Sequence, residues 1–138
     1  MGVIIDSSLA ITAERAHWTV PEMIERVITA CGTTPAALAA VGAVELLHGI
    51  WRAKDPQIRE RRTQFIETLL RALPVEPLTL KTARIAAQID GQSKSRGVTI
   101  PFADLLIGST ALELDYSVVT GNVRHFRLIP GLKIMELG

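Results

Sequence analysis

A chain of 138 residues, 48% of them apolar, has the size of one ordinary domain and buries roughly two-thirds of the surface its unfolded form exposes. Its richest apolar run, residues 36–44, stops at Glu45, far short of the ~20 residues that cross a bilayer, which argues against a transmembrane helix and a membrane partner. A net charge of +1 and a pI near 8.0 exclude a domain whose hold on nucleic acid rests on a densely basic surface, although the cations are concentrated after residue 50.

No charged leader precedes an apolar stretch, and Asp6 stands where a myristoylation signal has Ser or Thr, so the expected location is the cytoplasm. The single cysteine, Cys31, makes neither an internal disulfide nor a thiolate zinc site and is expected in the core.

The first element, "GVII" (2–5), is a β-branched run that ends at Asp6, and "SSLAIT" after it reads as a helix capped by a serine. In "TVPEMIERVITACG" (19–32) Pro21 suits a first helical turn, acids follow it, and Gly32 is the stop signal. Residues 36–53 combine a short strand of small residues with a helix, and Glu45 lies inside its apolar run. An Asp55-Pro56 start opens an amphipathic helix over 55–73, with the basic cluster "RERR" (59–62) expected on its solvated face. A short strand at 75–78 precedes a helix capped by Thr79, which is expected to give out in the polar stretch "GQSKSRG" (91–97). The next helix, announced by Gly97 and Pro101, carries Asp104, and residues 116–120 and 132–137 read as strands.

Strands alternating with helices imply one α/β domain over 1–138, with a mainly parallel sheet covered by helices on both faces. Sites in such sheets form beyond the carboxyl ends of the strands, which is where Asp6 and Thr120 fall. Asp6, Glu45 and Asp104 each interrupt an apolar segment, with no obvious Arg or Lys beside them, and ionised carboxylates are rarely buried alone. A hard divalent cation such as Mg²⁺ or Mn²⁺ resolves that conflict, because converging carboxylates repel until one neutralises them. For Glu45 taken alone, an ordinary surface position on a helix explains the sequence equally well.

Taken in order, "VIIDSS", "VELLHG", "IPFADLLIGSTAL" and "VVTGNVRHFRLIPGLKIMEL" resemble the PIN-domain family, specifically the VapC toxins of bacterial toxin–antitoxin pairs, over nearly the whole chain. The resemblance implies a three-layer α/β/α PIN-like fold and a Mg²⁺-dependent endoribonuclease that leaves a 3′-hydroxyl and a 5′-phosphate. It also implies a homodimer silenced by a small VapB-type antitoxin in a hetero-oligomer. Asp6, Glu45 and Asp104 match the family's acidic metal-site positions, Ser8 and Thr120 are matching polar neighbours, and Asn122 stands where some members have a fourth acid. An Asn there lowers the negative charge of the site and argues against a tightly held second metal. Arg124, His125 and Arg127, with Lys94 and Arg96, are candidate contacts to RNA phosphates.

Three other readings compete. His17, His48 and His125 suggest metal-free ribonuclease chemistry, but their contexts share no pattern. A phosphoacceptor signalling domain needs a strand-end Asp near mid-chain, where Asp55 is the nearest candidate. A catalytically silent PIN-like module that binds RNA or protein is disfavoured by the intact acids.

Overall fold

The computed structural model describes residues 1–137; Gly138, the last residue of the expected domain, lies outside them. The elements are β1 (Val3–Ile5), α1 (Ser8–Ala16), α2 (Val20–Cys31), β2 (Ala36–Ala39), α3 (Ala40–Arg52) and α4 (Pro56–Ala72). They continue as β3 (Val75–Glu76), α5 (Leu80–Ser95), α6 (Phe102–Leu114), β4 (Ser117–Thr120), α7 (Val123–Phe126) and β5 (Ile134–Glu136). The five strands pair in parallel throughout, in the order β3-β2-β1-β4-β5.

Alternation along β1 splits the core in two. Val3 and Ile5 pack with Leu9, Met23, Leu46 and Leu69 from the helices of one face, whereas Ile4 packs with Ala86, Leu105 and Phe126 on the other. The result is the expected α/β/α sandwich. Right-handed crossovers explain the sorting: the path β1-β2-β3 runs outward one way with α1 to α4 on one face, and the return past β1 to β4 and β5 places α5, α6 and α7 on the other. The chain therefore leaves β1 and β4, which are neighbours, in opposite directions, and a crevice opens beyond their carboxyl ends.

Local chemistry sets most boundaries as the sequence predicts. Thr19 and Glu22 form a capping box at α2, Asp55 accepts from the Gln57 amide at 2.8 Å to start α4, and Thr79 with Thr82 boxes the start of α5. Asp55 is thus a helix cap with a partner and not a strand-end acceptor, which removes the signalling-domain reading.

Helix α5 gives out within the polar stretch 91–97, as expected: it runs through Gly91 to Ser95, where buried Ser93 and packing along α6 outweigh the ~1 kcal/mol a helical Gly costs against Ala. One expectation needs correction: Ser7 takes the cap position of α1 yet makes no capping hydrogen bond, and its hydroxyl goes elsewhere. Helix α6 buries Leu105, Ile107, Gly108, Ser109, Thr110 and Ala111, so its middle is covered on nearly all sides, whereas Phe102 at its start is exposed.

Candidate active site

Asp6 follows β1 directly, and its backbone amide extends the pairing with β4 by donating to Val119 O at 3.0 Å, which places it beside Thr120. It is only 3% exposed. Its Oδ2 accepts from Thr120 Oγ1 at 2.8 Å and from Ser8 Oγ at 2.7 Å, while its Oδ1 is buried with no hydrogen-bond partner. Such an orphan oxygen on a buried carboxylate is costly, on the order of 1–3 kcal/mol or more.

Glu45 and Asp104 complete the pattern. Glu45, half-buried on α3, accepts from Ser7 Oγ at 2.8 Å, which is where the expected serine cap is spent. Asp104, in the first turn of α6, has Oδ2 2.8 Å from His125 Nδ1, and that nitrogen lies 2.7 Å from the Asn122 side-chain amide. Each carboxylate thus has one oxygen fixed by a hydroxyl or ring nitrogen and a second with no partner among the described residues.

Neighbouring acids add to what burial does to Glu45 and Asp104. Burial pushes the Glu45 carboxyl above its usual value, and the charges of Asp6 and Asp104 add to the rise against the opposing Ser7 hydrogen bond and Arg52. Burial likewise raises Asp104, with Asp6 adding to it and His125 opposing. Among the described residues no Arg or Lys forms an ion pair with any of the three acids; the Asp104 carboxylate meets the His125 ring, and Arg52 acts on Glu45 from a distance.

A divalent cation suits this donor set: hard carboxylate oxygens, an orphan at Asp6, and mutual repulsion that a cation would relieve. Among the described residues, no three His, Cys, Asp or Glu side chains stand close enough to form a ready-made cage.

The remaining candidates divide. Ser8 and Thr120 lie 3.2 Å apart on Asp6, and Asn122 N donates to Thr120 Oγ1 at 2.8 Å, so these polar neighbours are all at the site. Arg124 and Arg127 are exposed on and beside α7. Lys94 pairs with Asp90 at 3.1 Å, and Arg96 is exposed in the turn leading toward α6. His17 caps α1 in a left-handed conformation and His48 is exposed on α3; neither bonds His125, and among the described residues no histidine pair forms. Sequence reasoning missed Ser7, whose partner lies 38 residues away, and a groove of about 1050 Å³ that starts at Ser7 and Glu45 and runs between α1, α3 and α4 past Ile11, Phe65, Arg52 and Arg61.

The family model described as "PIN domain" matches residues 3–132. The chain belongs to the PIN-domain family. Within it the likeness is to VapC: the chain is 30% identical to Ribonuclease VapC of Rickettsia bellii (strain RML369-C), over 99% of this chain and 97% of that protein. Ribonuclease VapC1 of Rickettsia felis is 28% identical over the same shares. Among solved structures, VapBC2 from Rickettsia felis, bound to a DNA fragment from its promoter, superposes with a TM-score of 0.85 over 100% of both chains at 20% identity, a likeness of fold. No helix among the described residues is long and apolar enough to cross a membrane.

Proposed function

We propose that this VapC-type PIN domain is a divalent-metal-dependent endoribonuclease, the toxin of a VapBC-type toxin–antitoxin pair. The observation that carries the reading is the repeated arrangement of Asp6, Glu45 and Asp104. Each is anchored through one oxygen by a donor other than Arg or Lys, so its charge is left for something else to neutralise. Ribonuclease names on the full-length relatives support RNA as the substrate.

Asp6 and Asp104 would hold Mg²⁺, or Mn²⁺ in its place, with Glu45 completing the set or orienting a water. A bound cation of this kind lowers the pKa of water and neutralises charge on a phosphodiester. The chain's own contribution is positional: Ser8, Thr120 and His125 fix the carboxylates, and Asn122 ties His125 to the β4 end. Arg124, Arg127 and Arg96 are free to meet neighbouring phosphates as charge-assisted contacts, while Lys94 would have to release Asp90. Purified protein incubated with total RNA, with and without Mg²⁺, should give discrete new 5′-phosphate ends only with metal; 2′,3′-cyclic phosphate products, or cleavage in EDTA, would exclude this chemistry.

The groove supports a VapB-type antitoxin as partner. Apolar Ile11 and Phe65 beside Arg52 and Arg61 suit an amphipathic segment with acidic residues, whose end would reach the carboxylates with a basic side chain. The similar VapBC2 structure is a pair of this kind. On α3, Val44, Leu47 and Trp51 are 65, 37 and 72% exposed at helical spacing, an apolar stripe that we assign to self-association. Sedimentation should find dimers that Trp51→Glu converts to monomers; an unchanged dimer would place the interface elsewhere.

A further inference from the structure

We infer that His125 is a positioning residue: its ring fixes the Asp104 carboxylate so that the second oxygen is presented to a divalent cation. This rests on the metal-site reading above. Asp6 is anchored by two hydroxyls and Glu45 by one, but among the described residues the Asp104 side chain has His125 as its sole hydrogen-bond partner. Without it, a carboxylate in a helical first turn rotates about two side-chain bonds, and the ordering has to be supplied at the moment the cation binds.

The ring is itself held. One ring nitrogen carries either a proton or a lone pair in its plane, so Nδ1 cannot accept from Asn122 and donate to Asp104 at once. With the Asp104 carboxylate as acceptor at 2.8 Å, Nδ1 bears the hydrogen, and the Asn122 amide turned with Oδ1 inward shares it at 2.7 Å. Asn122 is tied through its backbone amide to Thr120 Oγ1, and Thr120 to Asp6 Oδ2, so a continuous hydrogen-bonded path joins the two acids across the crevice. Phe126, fully buried next to His125, pins α7 to the core by a different residue. Removing the His125 ring therefore loosens Asp104 without unmooring the helix.

The test measures Mn²⁺ binding by calorimetry and by the paramagnetic signal of free Mn²⁺, without RNA. His125→Ala should weaken Mn²⁺ about tenfold or more, the scale on which partners of metal ligands act. His125→Asn keeps an N–H near the Nδ1 position and should stay close to the parent, whereas His125→Gln carries its amide one bond further out and should resemble Ala. Melting in EDTA should be alike for all four proteins. Equal Mn²⁺ affinity in parent and Ala variant overturns the inference and leaves the metal site standing; a parent that takes no Mn²⁺ overturns both. Should the Ala variant fail to fold, Asn and Gln decide between them, and equal affinity in those two overturns the positioning role.

Discussion

Helix α6 carries two carboxylates about two and a half turns apart, Asp104 and Glu113, and the protein treats them in opposite ways. Glu113, near its carboxyl end, accepts from Thr79 Oγ1 at 3.0 Å and from Thr82 Oγ1, and these hydroxyls lower its pKa from the usual value. Because Thr79 and Thr82 form the capping box of α5, Glu113 also sits against the positive end of that helix. Both its oxygens are engaged. Asp104, in the first turn, has one oxygen engaged and a raised pKa set by burial and reinforced by Asp6. An acid that folding satisfies is a structural fastener, whereas an acid that folding strains is available for a ligand.

The largest expected effect tests that contrast directly. Asp104→Asn should abolish RNA cleavage while leaving the metal-free melting temperature unchanged or raised, because it removes a charge that burial disfavours and Asp6 repels. Glu113→Gln should do the reverse, lowering the melting temperature with cleavage per folded molecule intact. Melting curves and cleavage assays on the pair decide it; an active Asp104→Asn enzyme, or an inactive but stable Glu113→Gln one, would collapse the distinction.

Metal linkage sharpens the comparison at the next size of effect. A cation held only by the folded state stabilises it by about 2.7 kcal/mol at a hundred times its dissociation constant. Millimolar Mg²⁺ should raise the melting temperature of the parent and of Glu113→Gln equally, and that of Asp6→Asn or Asp104→Asn far less. A parent whose melting temperature ignores Mg²⁺ and Mn²⁺ would mean that Asp104 is strained for some other reason.

Much of this contrast was legible in the sequence on one side and hidden on the other. Asp6 at the end of a β-branched run and Asp104 just after Pro101 announce themselves, because strand ends and helix starts are local signals, and both lie where they were expected. The layers and the parallel sheet follow from alternation alone. What stayed hidden depends on distant partners: Ser7 looks like a cap but serves Glu45, and Glu113 looks like an ordinary helical residue until Thr79 and Thr82 are brought to it from 34 and 31 residues upstream. The end of α5 was legible too: the polar, glycine-bounded stretch 91–97 marks it, and the helix stops inside that stretch at Ser95.

The pH dependence of stability should divide along the same line. Asp104 and Glu45 have raised values in the folded, metal-free protein, so the folded state binds their protons more readily than the unfolded chain does. Stability from these two therefore falls as pH rises from the ordinary carboxylate range, about 4, through their folded values. Glu113 is lowered, so its contribution is present above the ordinary range and disappears as pH falls through its folded value. Saturating Mg²⁺ should abolish the loss toward neutral pH and leave the acid-side loss in place. Denaturant midpoints from pH 4 to 7.5, with and without metal, should separate the two; one slope that metal does not alter would deny that the acids share a charge burden.

The smallest effect concerns the serine diverted from capping. Ser7→Ala removes no cap, because Ser7 makes no capping hydrogen bond, so the roughly 1 kcal/mol expected on losing a working N-cap should be missing. What it removes is the hydroxyl on Glu45 Oε1, which opposes the upward push of burial and of Asp6 and Asp104. Metal-free stability should thus change little, while the cleavage rate at limiting Mg²⁺ should fall and recover as Mg²⁺ is raised, since a cation draws Glu45 back into its charged form. Thr79→Ala, which does lose a working cap and a partner of Glu113, should cost about 1 kcal/mol with no dependence of its activity on Mg²⁺ beyond that of the parent. Rate against Mg²⁺ concentration for the two variants is the measurement. Identical behaviour would mean that Ser7 is a cap after all and that the acid it serves has no part in holding metal.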